Sequence, residues 1–395
     1  MSPRFSLVYP TRHRPEFIRQ ALRILEDQGH ESFEVVVSDN YVDPALSCEA
    51  ICRETSVANV RYVRPPRPLG MVENWNHALQ FATGDYVCYL TDKMFVLPGG
   101  LGRIGRAIDS AGGPEIVSWI SDAYYPQSYA DYFGLGRYVR VQSDLESGRN
   151  EAFSPAADLD RRGRADIARG EQSSSAYSRG KLAFGAYRRE LVERIVARCG
   201  ALFHNISPDY TSMILGLGEA RDAVEMASSC VVSINTDISN GMLSDTSDAA
   251  ALGFLSSLAG GADAILPNLM VPGLYASMHN WVAHDFLTMQ KSFGVSFEFN
   301  MTNWLVYCTE DIFRPGRQWS EARVEAEQKG LLAAFVASLG PEVEAAVRER
   351  VAARALANQP PPPPRRSLRS RLRRKMEPPM PAFSASLLDA IEQRG

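Results

Sequence analysis

The chain has 395 residues, of which 45% are hydrophobic and 22% charged, and its formal net charge is −4. This size allows one elaborated domain or two domains, with a core that needs no disulfide or metal to hold it. Residues 359–395 contain eight Lys or Arg and three Asp or Glu, so this segment carries +5 and the rest carries −9. An acidic body argues against nucleic acid as the main partner.

The first hundred residues alternate between predicted strands and predicted helices. Apolar and β-branched runs predict strands, and apolar side chains at i, i+3 and i+4 predict the helices between them. Strands are predicted at Phe5–Tyr9, Phe33–Val37, Val60–Val63 and Asp85–Leu90, with helices beginning at Pro15 and Glu73. This order indicates a mostly parallel sheet covered on both faces.

Polar residues follow three of these strands. They are residues 11–14 (Thr-Arg-His-Arg), 38–40 (Ser-Asp-Asn) and 91–93 (Thr-Asp-Lys). In open α/β sheets, ligands bind beyond the carboxyl ends of the strands. We therefore predict one site to which all three clusters contribute.

The rest of the chain is less regular. Residues 121–178 are predicted to be an insertion or long loop near the site, with a surface excursion of no function as the alternative. Helix is predicted over 182–202, a strand at Val231–Ile234, and mostly helix over 254–293 and 320–356. We expect a sheet domain over 1–245, a helical C-terminal extension over 246–358 and a flexible Pro-rich basic tail over 359–395. Within that tail, residues 383–391 could form a short amphipathic helix.

Cysteine usage and apolar segments bear on the location of the protein. The six cysteines are scattered and lack a second pair that would complete a zinc site, as expected of reduced thiols in an intracellular protein. Neither a signal peptide nor a run of about 20 apolar residues is visible, so we expect a cytoplasmic protein. The seven basic residues of 365–375 favour either a solvated tail or attachment to an anionic membrane surface.

Four segments of the N-terminal third stand out together: Ser6–Glu16, Phe33–Asn40, Asn74–Leu79 and Gly84–Val87. In their order and spacing they resemble the family 2 glycosyltransferases. The resemblance extends over residues 4–105, is weaker over 180–245 and is absent beyond about 250. It implies a GT-A (Rossmann-like) fold with flanking helices. It also implies an inverting transfer of a sugar from a nucleotide-diphosphate sugar to a hydroxyl of a glycan or lipid-linked acceptor.

This resemblance assigns the nucleotide to the polar clusters. The carboxylate of Asp39 can accept the imide N–H of uracil or thymine, although by itself Asp39 would equally suit a turn. The planar guanidinium of Arg14 suits a base or a phosphate, whereas His13 is expected to be only a loop residue. The predicted nucleotide-binding residues are Pro10, Thr11, Arg14, Asp39 and Asn74.

The chain departs from the family at its Asp-X-Asp metal motif. In the family the second Asp binds Mg²⁺ or Mn²⁺, which bridges the diphosphate. Counted back from Pro98, Thr91 and Lys93 occupy the two acidic positions, with Asp92 between them. Either Asp92 alone binds the ion or the ammonium of Lys93 replaces it. A plain surface ion pair is the third alternative, and we favour the metal-independent mechanism.

For the general base that inversion requires, the resemblance points to Asp209 within Ser207–Ser212. A carboxylate that merely interacts with the helix dipole is the alternative. Two further segments are assigned more loosely: Gly185–Arg189 to the donor sugar and Ser239–Gly241 to a phosphate. Two other functions remain open. A nucleotidyltransferase would need a Gly-rich loop that residues 10–14 lack, and a nucleotide-sugar-binding protein could have lost activity with its metal motif.

Overall fold

The computed structural model describes residues 3–26, 28, 32–141, 145, 148–166, 175–357 and 385–392. Its strands are β1 (Phe5–Thr11), β2 (Phe33–Asp39), β3 (Val60–Val63), β4 (Tyr86–Tyr89), β5 (Met94–Val96), β6 (Ile116–Ser118), β7 (Ser121–Ser128), β8 (Asp131–Val139), β9 (Glu151–Phe153), β10 (Gly185–Arg188), β11 (Ala223–Glu225) and β12 (Val231–Ile234).

The helices are α1 (Pro15–Leu25), α2 (Glu49–Glu54), α3 (Met71–Leu79), α4 (Gly100–Ser110), α5 (Pro155–Gly163), α6 (Ser175–Ser178), α7 (Arg189–Cys199), α8 (Pro208–Glu219), α9 (Asn240–Thr246), α10 (Asp248–Ser256), α11 (Gly261–Ile265), α12 (Met278–Phe293), α13 (Met301–Ile312), α14 (Ala322–Ser338), α15 (Pro341–Ala357) and α16 (Leu387–Glu392). Short 3-10 helices cover Pro44–Leu46, Leu182–Phe184 and Leu266–Asn268.

The strands form two sheets, which confirms the predicted α/β class. The main sheet has eight strands in the order β3-β2-β1-β4-β10-β6-β11-β9. The strands from β3 to β4 are mutually parallel, but β10 enters antiparallel between β4 and β6, so the sheet is mixed. A second sheet has the order β5-β12-β7-β8 and includes the long β7–β8 hairpin.

Both faces of the main sheet are buried. Along β1, Leu7 and Tyr9 belong to one core cluster and Val8 to the other, as the alternation of side chains in a strand requires. Burial on both faces explains why these strands are almost continuously apolar. The cluster around Val8 also contains Phe286 of α12 and Trp304 of α13, so the C-terminal helices share a core with the sheet.

The end of β1 differs from the prediction that the strand stops before Pro10. The strand continues to Thr11, whose carbonyl accepts a hydrogen bond from the backbone of Asn40, beyond β2. The backbone groups of consecutive strand residues point to opposite neighbouring strands, so the backbone of Pro10 is directed toward β4. The pairing of β4 with β1 ends at Val8, two residues before Pro10. No ladder hydrogen bond is therefore lost at proline.

Two further predictions of local structure were wrong. Residues 121–139 form the β7–β8 hairpin rather than a loop, and residues 185–188 form a strand rather than the start of a helix. Each segment pairs with strands far away in sequence: β7 pairs with β12 as well as with its neighbour β8, and β10 pairs with β4 and β6. Such partners are invisible to local periodicity.

The C-terminal helix α16 packs against the second sheet instead of projecting from it. Leu387 and Ile391 are almost completely buried, and the carbonyl of Ala385 accepts hydrogen bonds from the Gly136 backbone and the Tyr124 hydroxyl. Residues 385–392 of the predicted flexible tail are thus bound to β8. The basic residues 365–375 lie outside the described part of the chain.

Leu387→Ala should destabilise the protein, because it removes a side chain that is 0% exposed from the contact of α16 with the sheet. A buried Leu→Ala change costs about 2–5 kcal/mol, and here the helix can detach and limit the loss to about 2. The measurement is the free energy of unfolding in denaturant. Leu356→Ala, at a side chain that is 68% exposed, is the control. Equal losses in both variants would contradict the docking of α16.

No single described helix has the length and apolar character needed to cross a bilayer. One bent pair of helices meets the same criteria of length and apolar character when its two members are taken together. The pair is Asp248–Ser256 and Gly261–Asn268, with an angle of 89° between them.

Candidate active site

The three polar clusters lie together at the carboxyl ends of β1, β2 and β4. Thr11 is aligned with Asp39 across the β1–β2 pair. The Thr11 hydroxyl donates to Asp92 Oδ2 at 3.2 Å, and Arg14 Nη1 donates to Asp92 Oδ1 at 2.8 Å. Parallel strands end at one edge of a sheet, so residues about 80 positions apart are in contact, as predicted.

Asp39 is completely buried at the end of β2 and has one satisfied and one free carboxylate oxygen. Its Oδ2 accepts the Cys48 backbone N–H at 2.6 Å and the Tyr62 hydroxyl at 3.3 Å. Its Oδ1 accepts no hydrogen bond from the described residues. Burial raises the pKa of Asp39, opposed by the hydrogen bonds from Cys48 and Tyr62. A buried acceptor without a donor is costly, so Oδ1 is a position where a ligand or an ordered water molecule would supply the missing hydrogen bond.

Helix α3 connects the end of β2, which carries Asp39, to the rest of the site. Asn74 accepts the Ser38 hydroxyl at 2.8 Å, directly before Asp39. Two residues later, the Asn76 amide is hydrogen-bonded to both the N–H and the carbonyl of Phe203. Asn74, predicted to bind the nucleotide, is therefore hydrogen-bonded to the strand that carries Asp39. The same helix fixes the chain that leads into α8.

The cations Arg14 and Lys93 contact one short segment after β12. Lys93 Nζ donates to Ser239 Oγ at 2.8 Å, and Arg14 Nη2 donates to the carbonyl of Ile238 at 3.0 Å. The Tyr132 hydroxyl, at the tip of the β7–β8 hairpin, donates to Asp237 Oδ1 at 2.6 Å. Burial lowers the pKa of Lys93, an effect that Asp92 opposes and Arg14 reinforces. Ser239 thus lies beside the two cations.

The residues around Asp92 do not fit a divalent cation well. Both oxygens of this carboxylate already accept hydrogen bonds, from Arg14 and Thr11, and the next residue is the positively charged Lys93. The described residues contain no group of three or more His, Cys, Asp or Glu side chains that could hold an ion. Hard cations such as Mg²⁺ require oxygen ligands rather than neighbouring ammonium and guanidinium groups.

Asp209 lies in the first turn of α8, directly after Pro208. The described residues donate no hydrogen bond to its half-buried carboxylate. The chain before it is held by Asp285 of α12, which is completely buried. Asp285 Oδ1 accepts the Ile206 N–H at 2.6 Å and Oδ2 accepts the Ser207 N–H at 3.0 Å. The position of Asp209 is therefore fixed while its carboxylate stays available.

A cavity of about 190 Å³ lies between the beginning of α3 and the chain that precedes α8. Gly70 and Glu73 line one side, and Phe203, His204 and Asn205 line the other. The cavity thus lies between α3, which is hydrogen-bonded to the end of β2, and the segment that leads to Asp209.

Sequence reasoning placed one segment wrongly and missed several residues. Gly185–Arg189 was assigned to the donor sugar, but Tyr187 is completely buried in the sheet and donates to the carbonyls of Gly180 and Ser212. Asp285, Lys181 and Tyr132 were not predicted. They come from elements remote in sequence from the polar clusters, and no motif in the sequence marks them.

Comparison with known proteins agrees with the resemblance in sequence. The family model described as "Glycosyl transferase family 2" matches residues 6–123. No curated protein matches the chain. Among solved structures, TarS residues 1–349 of S. aureus with UDP-GlcNAc has a TM-score of 0.48 and 13% identity, over 87% of this chain and 83% of that one. TarS 1–349 of S. aureus with UDP has a TM-score of 0.45 and 14% identity, over 84% and 91%. Residues 6–123 contain β1 to β4 and the Asp39, Asp92 and Lys93 positions, so the part of the chain that carries the three polar clusters is similar to the family 2 glycosyltransferases.

Proposed function

We propose that this glycosyltransferase inverts the anomeric centre of a nucleotide-diphosphate sugar without a metal ion, moving the sugar to a hydroxyl of a glycan or lipid-linked acceptor. The observation that carries the donor assignment is the free, buried Oδ1 of Asp39 at the carboxyl ends of the parallel strands. A pyrimidine imide N–H would supply the hydrogen bond that this oxygen lacks.

The diphosphate would be bound by Arg14 and Lys93. In the structure these cations donate to a carbonyl and a hydroxyl of the Ile238–Ser239 segment, and phosphate oxygens are acceptors of the same kind with more charge. Binding of the donor would therefore exchange these two contacts for charge-assisted hydrogen bonds. As the sugar–phosphate bond breaks, the ammonium of Lys93 would stabilise the charge on the leaving diphosphate.

Asp209 would accept the proton of the acceptor hydroxyl while that oxygen attacks C1 of the sugar. Its carboxylate has no competing hydrogen-bond donor among the described residues, and the backbone before it is held by Asp285. A positioned base of this kind contributes about 10²- to 10⁴-fold to a rate. The cavity beside Phe203 and Asn205 is the space we assign to the sugar or the acceptor.

The test is donor hydrolysis and binding across a panel of UDP-, dTDP- and GDP-sugars, with EDTA and with Mn²⁺. We expect one donor to be bound and turned over, with no loss of rate in EDTA. Binding of a donor without turnover, with many acceptors tried, would instead favour a nucleotide-sugar-binding protein. Failure of every donor to bind would contradict the proposal.

Asp39→Asn should weaken nucleotide binding by about 10- to 100-fold, because a hydrogen bond to a charged acceptor is worth about 1.5–3 kcal/mol. The Asn oxygen can still accept from Cys48, but its NH₂ group would then point toward the imide N–H. Titration calorimetry with UDP, dTDP and GDP measures the loss.

Asp43→Asn is the matched control for this substitution. Asp43 also accepts a backbone N–H, from Ala45, but it is exposed at the start of a short 3-10 helix. Nucleotide affinity should be unchanged in this variant. If both substitutions weaken binding equally, Asp39 has only a structural role.

The cytoplasmic location and the attachment of residues 365–375 to an anionic membrane surface remain proposals. The location rests on the scattered cysteines, and the attachment rests on the basic composition of a segment outside the described residues.

A further inference from the structure

One wall of the cavity is formed by a segment that belongs to neither a helix nor a strand. This wall segment, Phe203–Ser207, lies between the end of α7 and the beginning of α8, and its residues Phe203, His204 and Asn205 line the cavity. Backbone N–H and C=O groups outside secondary structure need other partners when they are buried. The position of the wall segment therefore depends on the groups that bind its backbone.

Two of these groups come from helices on either side of the segment. The Asn76 amide of α3 donates to the Phe203 carbonyl at 2.8 Å and accepts the Phe203 N–H at 3.2 Å. The buried Asp285 carboxylate of α12 accepts the N–H groups of Ile206 and Ser207. The segment is thus held near both of its ends.

The middle of the wall segment is bound by Thr211, which belongs to α8 itself. Its Oγ1 accepts the His204 N–H at 3.1 Å, and its hydroxyl donates to the carbonyls of His204 at 3.2 Å and Pro208 at 3.3 Å. The Thr211 side chain is 0% exposed. Because Thr211 follows Asp209 by two residues, it connects the cavity wall directly to the helix that carries the proposed base.

The opposite wall is connected to the end of β2. Gly70 lines that wall, and the residue before it, Leu69, donates to Asn40 Oδ1 at 2.9 Å and accepts from Asn40 Nδ2 at 2.8 Å. Asn40 directly follows Asp39. The cavity therefore lies between the chain beside Asp39 and the chain that leads to Asp209. In the proposed reaction the donor sugar has the same place, between the nucleotide and the base.

The lining of the cavity suits a sugar ring. Phe203 contributes an apolar surface, whereas Glu73, His204 and Asn205 contribute groups that can hydrogen-bond to hydroxyls. Small-molecule sites commonly combine an apolar lining with a few positioned polar groups.

We propose that the cavity takes the sugar of the donor and that Thr211 is a positioning residue of the transfer reaction, holding the wall segment against the helix that carries Asp209. This inference rests on the proposed function. Because Thr211 is completely buried, it acts through His204 and does not touch the sugar. Groups that position a substrate must be held within a fraction of an ångström of the productive geometry.

Thr211→Val keeps the shape of the side chain but removes the hydroxyl, which leaves both backbone groups of His204 without this partner. We expect kcat/KM for donor hydrolysis to fall by about 10- to 100-fold, because a misplacement of about 1 Å has an effect of that size. The preference for one sugar over the next best on the same nucleotide should also fall. Affinity for the nucleoside diphosphate should be unchanged, since we assign its binding to Asp39, Arg14 and Lys93.

The experiment uses the nucleotide-sugar that the panel of UDP-, dTDP- and GDP-sugars identifies, together with its nucleoside diphosphate. Ser212→Ala is the matched control: Ser212 is also 0% exposed on α8, and its hydroxyl donates to the carbonyls of Pro208 at 2.7 Å and Asp209 at 3.3 Å rather than to the wall segment. This variant should keep the wild-type rate and sugar preference. Thr211→Ser retains the hydroxyl and should restore both.

Several outcomes would overturn the proposal. Equal losses in Thr211→Val and Ser212→Ala, or an equal loss of affinity for the nucleoside diphosphate and the nucleotide-sugar, would indicate a merely structural role for Thr211. An unchanged sugar preference in Thr211→Val would assign the cavity to the acceptor instead. Should Thr211→Val not fold, Asn76→Ala releases the same wall from α3. It should lower the sugar preference and leave the affinity for the nucleoside diphosphate intact, and an unchanged preference would again overturn the proposal.

Failure of this inference is distinguishable from failure of the proposed function. If the wild-type protein binds no nucleotide-sugar of the panel, the proposed function fails and this inference fails with it. If one donor is turned over but Thr211→Val keeps both its rate and its sugar preference, only the inference about Thr211 and the cavity has failed.

Discussion

Replacing Lys93 with alanine should lower the rate of sugar transfer by about 100- to 1,000-fold, the usual effect of removing one group that stabilises charge in a transition state. The reason is the place of its ammonium, beside Arg14 and against Ser239, where we place the leaving diphosphate. The loss should appear mainly in kcat, since charge develops on the diphosphate only as the bond breaks. The wild-type rate should be the same with EDTA and with Mn²⁺.

Lys329→Ala is the control for this substitution. Lys329 lies on α14, where it pairs with Glu325 one helical turn away, and its loss should not affect transfer. If activity requires Mn²⁺ and survives Lys93→Ala, then Asp92 holds the ion and the lysine mechanism is wrong. Loss of activity in Lys93→Ala together with sensitivity to EDTA would mean that cation and metal are both needed.

Asp209→Asn should abolish most of the transfer while leaving the donor bound. Asparagine has the same shape but cannot accept a proton, so a loss of about 10²- to 10⁴-fold is expected from the missing base. Nucleotide affinity should be unchanged, because we assign donor binding to Asp39, Arg14 and Lys93 rather than to Asp209. Single-turnover rates and calorimetry on the same variant separate the two effects.

Glu190→Gln provides the comparison that separates a base from a helix-terminal carboxylate. Glu190 lies in the first turn of α7, as Asp209 lies in the first turn of α8. A favourable interaction with a helix dipole is worth about 0.3–1 kcal/mol of stability, so both substitutions should lower the melting temperature slightly. Only Asp209→Asn should lower the rate. Equal rates in the two variants would leave Asp209 as a helix-terminal residue.

The sequence by itself determined the class of fold and the edge of the sheet at which the polar clusters meet. The apolar runs at Phe5–Tyr9 and Phe33–Val37 record burial on both faces of a strand, and the polar residues after them mark the strand ends. These are local properties, because the burial of the side chains of a strand determines which residue types follow one another within that strand. For that reason Thr11, Arg14, Asp39 and Asp92 could be placed at one edge of the sheet before their contacts were known.

The roles of other residues depended on partners that local sequence does not reveal. Asn74 was predicted to bind the nucleotide. In the structure its side chain accepts a hydrogen bond from the Ser38 hydroxyl and so connects α3 to β2. The strand at Gly185–Arg188 was predicted as helix, because its hydrogen bonds come from β4 and β6 on either side. The packing of Leu387 against the second sheet likewise depends on partners that are remote in sequence.

Only the tertiary structure decided how the charges of the site are arranged. Lys93 meets Ser239, 146 residues later, and Lys181 lies beneath the residue that follows Asp209. Asp285 reaches the same helix terminus from α12. The function of a charged group depends on its burial and on the charges within a few ångströms, and both are set by chain packing rather than by neighbours in sequence. The sequence located the sheet edge at which we propose that the donor binds, and chain packing determined which charged groups lie around that edge.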